Sequence, residues 1–396
     1  MMSDDRLGRL RRLACLLCLL VAPAANAAPF IPSDTNEILE RVEPSRDPVE
    51  GELRRLSAAL AIDRGNGPLA VKLARLSIAR GQLLGDARYF GRADAALAPW
   101  LNLPDPPIDV RLLRGILRQS NHDFTAALDD LGKVLSGEPH NGQARLTRAV
   151  VRLVRAEYNA ARGDCVQLIG AAPQSVMRVC LAAVAAMTGH ARAAQAALAI
   201  TADQADTPPA VRVWALTLAG ETAARTGDSR TAFGAFERAR ALAPDDAYLL
   251  AAYADALADA GRAVDVPDLL AAHTRIDSLL LRVAEAELQL RRQDPELLAQ
   301  LAERFETSRL RGETTHQREE ARFALHILSR PDAALRLARA NWQVQREPAD
   351  ARIFLEAAIA AGVPFEADPV LMWHRDNGVE DIQLTRMVSS IEREVR

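Results

Sequence analysis

The chain has 396 residues and nearly balanced charge, 49 Lys+Arg against 52 Asp+Glu, for a formal net charge of −3. It lacks the basic excess of a general nucleic-acid binder. Hydrophobic residues make up 49 % and aromatics only 4 %. Ala and Leu dominate the apolar share and lose least on entering a helix, so the composition predicts an all-helical protein with small-residue packing.

At the N-terminus, Arg6, Arg9, Arg11 and Arg12 precede an apolar run from Leu13 to Ala22, and Ala25-Asn26-Ala27 follows. This is the pattern of a secretory signal peptide (residues 1–27) with cleavage after Ala27. The run is about half of the roughly 20 residues that a spanning helix needs, and nothing later approaches that length without charges, so no membrane span is expected. Cys15 and Cys18 lie inside the run, outside any lipoprotein-type context. Removing the segment moves the net charge from −3 to −5 and places the mature chain in a periplasmic or secreted, oxidising setting.

Residues 28–52 read as an extended linker, and 53–107 as degenerate helical hairpins: a helix from Leu69, a turn at Gly85-Asp86, and a second helix to Trp100. Pro104-Asp105-Pro106-Pro107 closes this stretch. From 108 to 266 a repeat emerges. Pro139 and Pro173 are 34 residues apart. Reading back from Pro139 gives Gly115, Phe124, Ala127, Leu131 and Val134, and reading back from Pro173 gives Ala149, Tyr158, Ala161, Cys165 and Leu168 in the same register. A third copy ends at Pro244 with Gly220, Gly227, Ala232, Phe236 and Ala239. Arg114 with Asp130 and Arg148 with Asp164 are each 16 residues apart, a reach that suits an ion pair within one hairpin and mainly fixes geometry. Cys165 and Cys180 flank a turn at Ala172-Pro173 at nearly equal distances, so antiparallel helices would bring them level. They form either a disulfide or two buried thiols.

Weaker copies continue from 267 to 362, with helices expected at Pro295–Arg309, Thr315–Ser329, Pro331–Gln345 and Ala351–Ala361. Trp342 falls on the apolar side of one of them and is expected in the core. The tail, 363–396, holds Trp373 and a last helix from Val379 to Glu394.

These matches resemble the tetratricopeptide repeat, clearest from about Arg111 to Gly261. The resemblance implies an all-α fold, a right-handed α-solenoid of antiparallel helix pairs. It also implies a non-enzymatic scaffold or assembly factor that binds a protein or peptide partner in the bacterial cell envelope, without a cofactor. Groove positions would include Leu112, Ile116, Leu146 and Val150, with Arg118 and Arg152 as flanking charges. Because the inward positions are apolar, no carboxylate clamp of the chaperone-binding kind is matched.

One polar cluster could carry chemistry. His316, Glu319 and Glu320 share a helical face, with His326 ten residues beyond His316. A metal-dependent envelope enzyme centred there is the alternative reading, although the second closely spaced histidine of helical zinc motifs is absent. Glu319 and Arg322 could instead form an ordinary surface pair. Arg309, Arg311 and Arg318 could make an anion- or partner-contacting loop. No phosphate-cradling loop or nucleophile elbow occurs, and no strand pattern would support one.

Overall fold

A computed structural model describes residues 47–292, 294–312 and 316–394. The chain divides into an N-terminal unit, Met1–Glu50, and a second unit, Gly51–Arg396, which is the subject below. The export segment, its cleavage position Ala27 and most of the expected linker lie outside the described residues.

The described residues form helices and no strands. The early helices are α1 (Pro48–Ile62), α2 (Gly67–Leu84), α3 (Ala87–Leu101), α4 (Ile108–Ser120), α5 (Phe124–Gly137), α6 (Gly142–Val154) and α7 (Tyr158–Val166). The central ones are α8 (Gln174–Ala186), α9 (Ala191–Asp203), α10 (Pro209–Arg225), α11 (Ser229–Leu242), α12 (Ala247–Asp259), α13 (Val266–Leu270) and α14 (Asp277–Gln289). The last are α15 (Pro295–Leu310), α16 (Gln317–Arg322), α17 (Pro331–Val344), α18 (Pro348–Ala360), α19 (Asp368–Asn377) and α20 (Ile382–Glu394). Together they form an all-α solenoid of antiparallel pairs. Three expectations needed adjusting: α1 begins at Pro48, inside the expected linker, the tail contains α19 as well as α20, and the Thr315–Ser329 helix is split. In that helix α16 passes into a π-helical turn, Phe323–Ile327, where Leu328 N–H donates to the Phe323 carbonyl (3.1 Å).

Short polar residues start the helices. Asp123, Asn141, Asp228 and Asp246 accept the N–H of Ala126, Ala144, Thr231 and Leu249, and prolines open α15, α17 and α18. Within each pair, small residues set the approach. Gly220 lies under the fully buried Phe236, and a Cβ added there would sit 2.7 Å from its ring. At the matching places Gly115 faces Leu131 and Ala149 shares a core with Cys165. The turn inside each pair requires one left-handed residue at a fixed register, filled by His122 (φ 59°), Ala156 (φ 61°) and Gly227 (φ 87°).

Cys165 and Cys180 are joined in a disulfide across α7 and α8, as the turn geometry allowed. Trp342 is 2 % exposed and packs edge-on against Phe354 and Trp373, as expected of a core residue.

The helix pairs after α11 return alongside the earlier ones. Arg346 N–H donates to the Val154 carbonyl (2.7 Å), Trp373 Nε1 to the Tyr158 hydroxyl (3.0 Å), and Ala191 N–H to Glu380 Oε2 (3.0 Å). Gly85 abuts Ala247, Gly189 abuts Gly378, and Gly227 abuts Ile382. A shared core from Tyr158, Cys165, Cys180, Trp342, Trp373 and Ile391 closes one stretch of this seam.

Candidate functional site

The two expected hairpin ion pairs are present and larger than expected. Arg114 grips Asp130 with two bonds (2.8 and 2.7 Å), and Arg118 adds a third (2.7 Å) while reaching the Ala126 carbonyl. One repeat later Arg148 grips Asp164 (3.0 and 2.6 Å), and Arg152 adds its bond (2.7 Å) while reaching the Ala160 carbonyl. Both carboxylates are buried. One forked and one singly bonded guanidinium on a buried carboxylate fix the angle between the helices of each pair.

This bears on the expected groove. Arg118 and Arg152 are committed to those carboxylates, Leu112 and Ile116 are buried, and Leu146 and Val150 are half-buried. None of the six presents an open surface.

A different surface is assembled further along. The first helices of successive pairs, α12, α14, α16 with its π turn, and α18, form one layer, and each contributes two charged residues about one turn apart. Arg282 bonds Asp255 (2.7 Å), Asp255 bonds Arg322 (2.9 Å), and Arg322 bonds Glu285 (2.6 Å). Glu285 then bonds His326 Nδ1 (2.8 Å), His326 Nε2 bonds Glu356 (3.0 Å), Glu356 bonds Arg352 (2.8 Å), and Arg352 bonds Asp259 (2.7 Å). Signs alternate along the whole series. The π turn carries His326 between two carboxylates, a position that uses both ring nitrogens.

The electrostatics follow from this order. Burial opposes ionisation of Asp255, but Arg282 and Arg322 hold its carboxyl well below the usual range. Burial likewise opposes charge on Glu356, but the His326 hydrogen bond and Arg352 hold it down at about 2. Burial alone would depress the His326 imidazolium, yet its hydrogen bonds to Glu285 and Glu356 raise it to about 9. His326 is therefore a cation at neutral pH.

A second group lies beside this series. Arg318 reaches Glu319 (3.2 Å), Glu347 (3.3 Å) and Asp350 (3.4 Å), while Asp350 also accepts from Asn341 (2.8 Å), Gln345 (3.0 Å) and the Glu347 N–H (2.8 Å). Toward α10, the Tyr248 hydroxyl donates to Glu221 (2.8 Å). Tyr248 is 55 % exposed; the packing around its hydroxyl, and then the charges of Glu221 and Glu347, push it well above the usual tyrosine range.

Several sequence readings of this region change. Glu319 and Arg322 do not form a surface pair, because Glu319 is buried against Arg318 and Arg322 spans Asp255 and Glu285. The metal cluster of the alternative reading is not assembled. Glu320 pairs with Arg309 (3.2 Å), His326 with Glu285 and Glu356, and His316 stands at the start of α16. Among the described residues no three His, Cys, Asp or Glu side chains are placed to share a metal ion. Of the loop arginines, Arg309 bonds Glu306 and Glu320, Arg318 is drawn inward, and Arg311 lies on an exposed turn. No helix among the described residues is long and apolar enough to cross a membrane.

No family model matches the chain, and no curated protein does. Among solved structures it is similar to a tetratricopeptide repeat protein from Parabacteroides merdae, at 15 % identity over 64 % of this chain and 90 % of that one, with a TM-score of 0.40. It is also similar to the human IFIT1 dimer with PPP-AAAA, at 12 % identity over 87 % of both chains and a TM-score of 0.45. A third is yeast Tom70, at 12 % identity over 88 % of this chain and 86 % of that one, with a TM-score of 0.39. The type of repeat rests on the chain itself. The 34-residue register and the small residues where paired helices meet resemble those of tetratricopeptide repeats.

Proposed function

We propose that this chain of tetratricopeptide-type repeats is a non-enzymatic scaffold or assembly factor of the bacterial cell envelope that binds a protein or peptide partner. The observation that carries the reading is the layer of α10, α12, α14, α16 and α18. From α12 to α18 its charges pair in an alternating series, which favours a fixed recognition surface over a reactive group. Its open element is an aromatic ring, Tyr248, and tyrosine is a frequent anchor of protein interfaces.

Export is supported by the arginine-led apolar run ending at Ala25-Asn26-Ala27, and by the Cys165–Cys180 bridge, which suits an oxidising compartment. The test expresses the tagged full chain and its Tyr248→Ala variant in a bacterial host and isolates both from periplasmic fractions. Native mass spectrometry should give a mature chain starting at Ala28 with a co-purifying polypeptide that the variant loses. Retention of residues 1–27 in the cytoplasm would overturn the export reading, and an unchanged partner in the variant would overturn the assignment of this surface.

A further inference from the structure

We propose that the face around Tyr248 and Glu221 takes an arginine side chain from an exposed basic segment of the partner protein. The inference rests on the scaffold reading and names the chemistry of its partner.

Charge matching along the layer breaks down at one end. Asp255, Asp259, Glu285 and Glu356 each bond a cation. The single guanidinium of Arg318, by contrast, is divided among Glu319, Glu347 and Asp350 at 3.2 to 3.4 Å. Glu221 is one carboxylate further, and among the described residues it bonds the Tyr248 hydroxyl and no basic side chain. Burial pushes the Glu221 carboxyl up, although Arg225, one turn further along α10, and Arg318 oppose this by their charge without bonding it. Four carboxylates thus share Arg318 and the unbonded charge of Arg225, and the shortfall is positive charge.

Tyr248 supplies the second element. Its hydroxyl is fixed on Glu221, so what remains open is the ring, more than half exposed on a face that α10 and α12 share. A planar cation laid on that ring can reach the Glu221 carboxylate with its N–H groups. Arginine meets both demands, because its guanidinium stacks on aromatic faces and bonds a carboxylate with a fork of parallel donors. An acidic segment would meet Glu221 and Glu347 with like charge, and an apolar one would leave Glu221 without a hydrogen-bonded cation.

The test uses the full mature chain with its disulfide intact and fluorescence anisotropy on two labelled Gly-Ser peptides of equal length. One carries three arginines and the other three glutamates at the same places. The arginine peptide should bind at least about tenfold tighter and weaken as salt is raised. Glu221→Gln and Tyr248→Ala should each weaken it about tenfold, while Tyr248→Phe keeps most of the binding and Glu237→Gln on α11 leaves it unchanged. Circular dichroism and melting temperature report whether each variant is folded, and Tyr248→Phe keeps the test open if Tyr248→Ala fails to fold. Tighter binding of the glutamate peptide, or arginine-peptide binding that ignores both Glu221→Gln and Tyr248→Ala, overturns the inference. In either case a co-purifying partner that still depends on Tyr248 leaves the scaffold reading standing, and its absence removes both.

Discussion

The indole N–H of Trp373 donates to the hydroxyl of Tyr158 at 3.0 Å, a bond between residues 215 apart in the chain. Tyr158 opens the second helix of an early repeat, and Trp373 lies on α19, so this bond spans the seam where the later pairs lie along the earlier ones. Both side chains are buried in one core with the disulfide. Trp373→Phe keeps most of the apolar contact but leaves the Tyr158 hydroxyl without its donor. It should cost about 1–3 kcal/mol in urea unfolding, and Tyr158→Phe added to it should recover part of the loss. A double variant no more stable than Trp373→Phe alone would mean that the bond contributes nothing to the seam.

Asp130 and Asp164 hold equivalent places one repeat apart, each gripped by two arginines at matching positions, with Arg145 a third, longer partner of Asp164 (3.5 Å). Changing either to Asn removes the anion and leaves the guanidiniums half-buried, so Asp130→Asn and Asp164→Asn should each cost about 3–5 kcal/mol. The two losses should be similar, and the readout is the denaturation midpoint of each variant. A change below about 1 kcal/mol would show that Arg114 and Arg148 find other acceptors.

The disulfide closes a short loop, with a sequence separation of 15 between Cys165 and Cys180. Chain-entropy arguments give about 3 kcal/mol for such a loop. Cys165→Ala with Cys180→Ala should lower stability by that order while retaining helical circular dichroism. Both sulfurs are buried, at 1 % and 4 % exposure of their residues. A mild reductant on the folded protein should therefore act only as fast as the chain opens, which mass-resolved thiol labelling can time.

The repeat was legible because its signals are local. Proline spacing, a small residue at a fixed place and an arginine 16 residues before an aspartate can all be read in one window. The charged layer was not legible in that way. Asp255, Glu285, His326 and Glu356 come from four helices and meet only because alternate helices stand side by side. The period that places them is blurred where the copies degenerate. His316, Glu319 and Glu320 were adjacent in sequence and invited a metal reading, but the fold directs Glu319 to Arg318 and Glu320 to Arg309. Proximity along the chain misled there, and the one signal available was the paired spacing of charged residues on successive first helices, four apart in Asp255/Asp259, Arg322/His326 and Arg352/Glu356 and three apart in Arg282/Glu285. The α19 helix was missed because its ten residues begin beside Pro369 and its apolar positions, Val370 to Trp373, are bunched in one run that shows no helical period.

Two histidines set opposite pH limits. His326 is raised to about 9 from an unfolded value near 6.5, so its contribution is complete below about 6.5 and is lost as pH rises through about 9. With a third of the side chain exposed, screening limits this to no more than about 2 kcal/mol. His122 is depressed to about 4 by burial and then by Arg318, so its contribution is present above about 6.5 and is lost as pH falls through about 4. Melting temperatures from pH 3.5 to 10 should fall at both ends. His326→Gln should flatten the alkaline side, and His122→Asn, a residue that tolerates the left-handed turn, the acid side. An alkaline slope unchanged in His326→Gln would assign it to other groups.

The closest helix approach gives a graded test of packing. A Cβ at Gly220 would stand 2.7 Å from the Phe236 ring, whereas one at Gly115 would stand 3.2 Å from Leu131, and the third repeat position already carries Ala149. A buried ring has little room to turn aside, while a leucine can shift its branch by a few tenths of an ångström. Gly220→Ala should therefore cost about 1–3 kcal/mol, and Gly115→Ala clearly less. Adding Phe236→Leu to Gly220→Ala should cost less than the sum of the two single changes, because the smaller side chain removes the overlap that the new methyl creates. Additive losses would place the strain elsewhere in the pair.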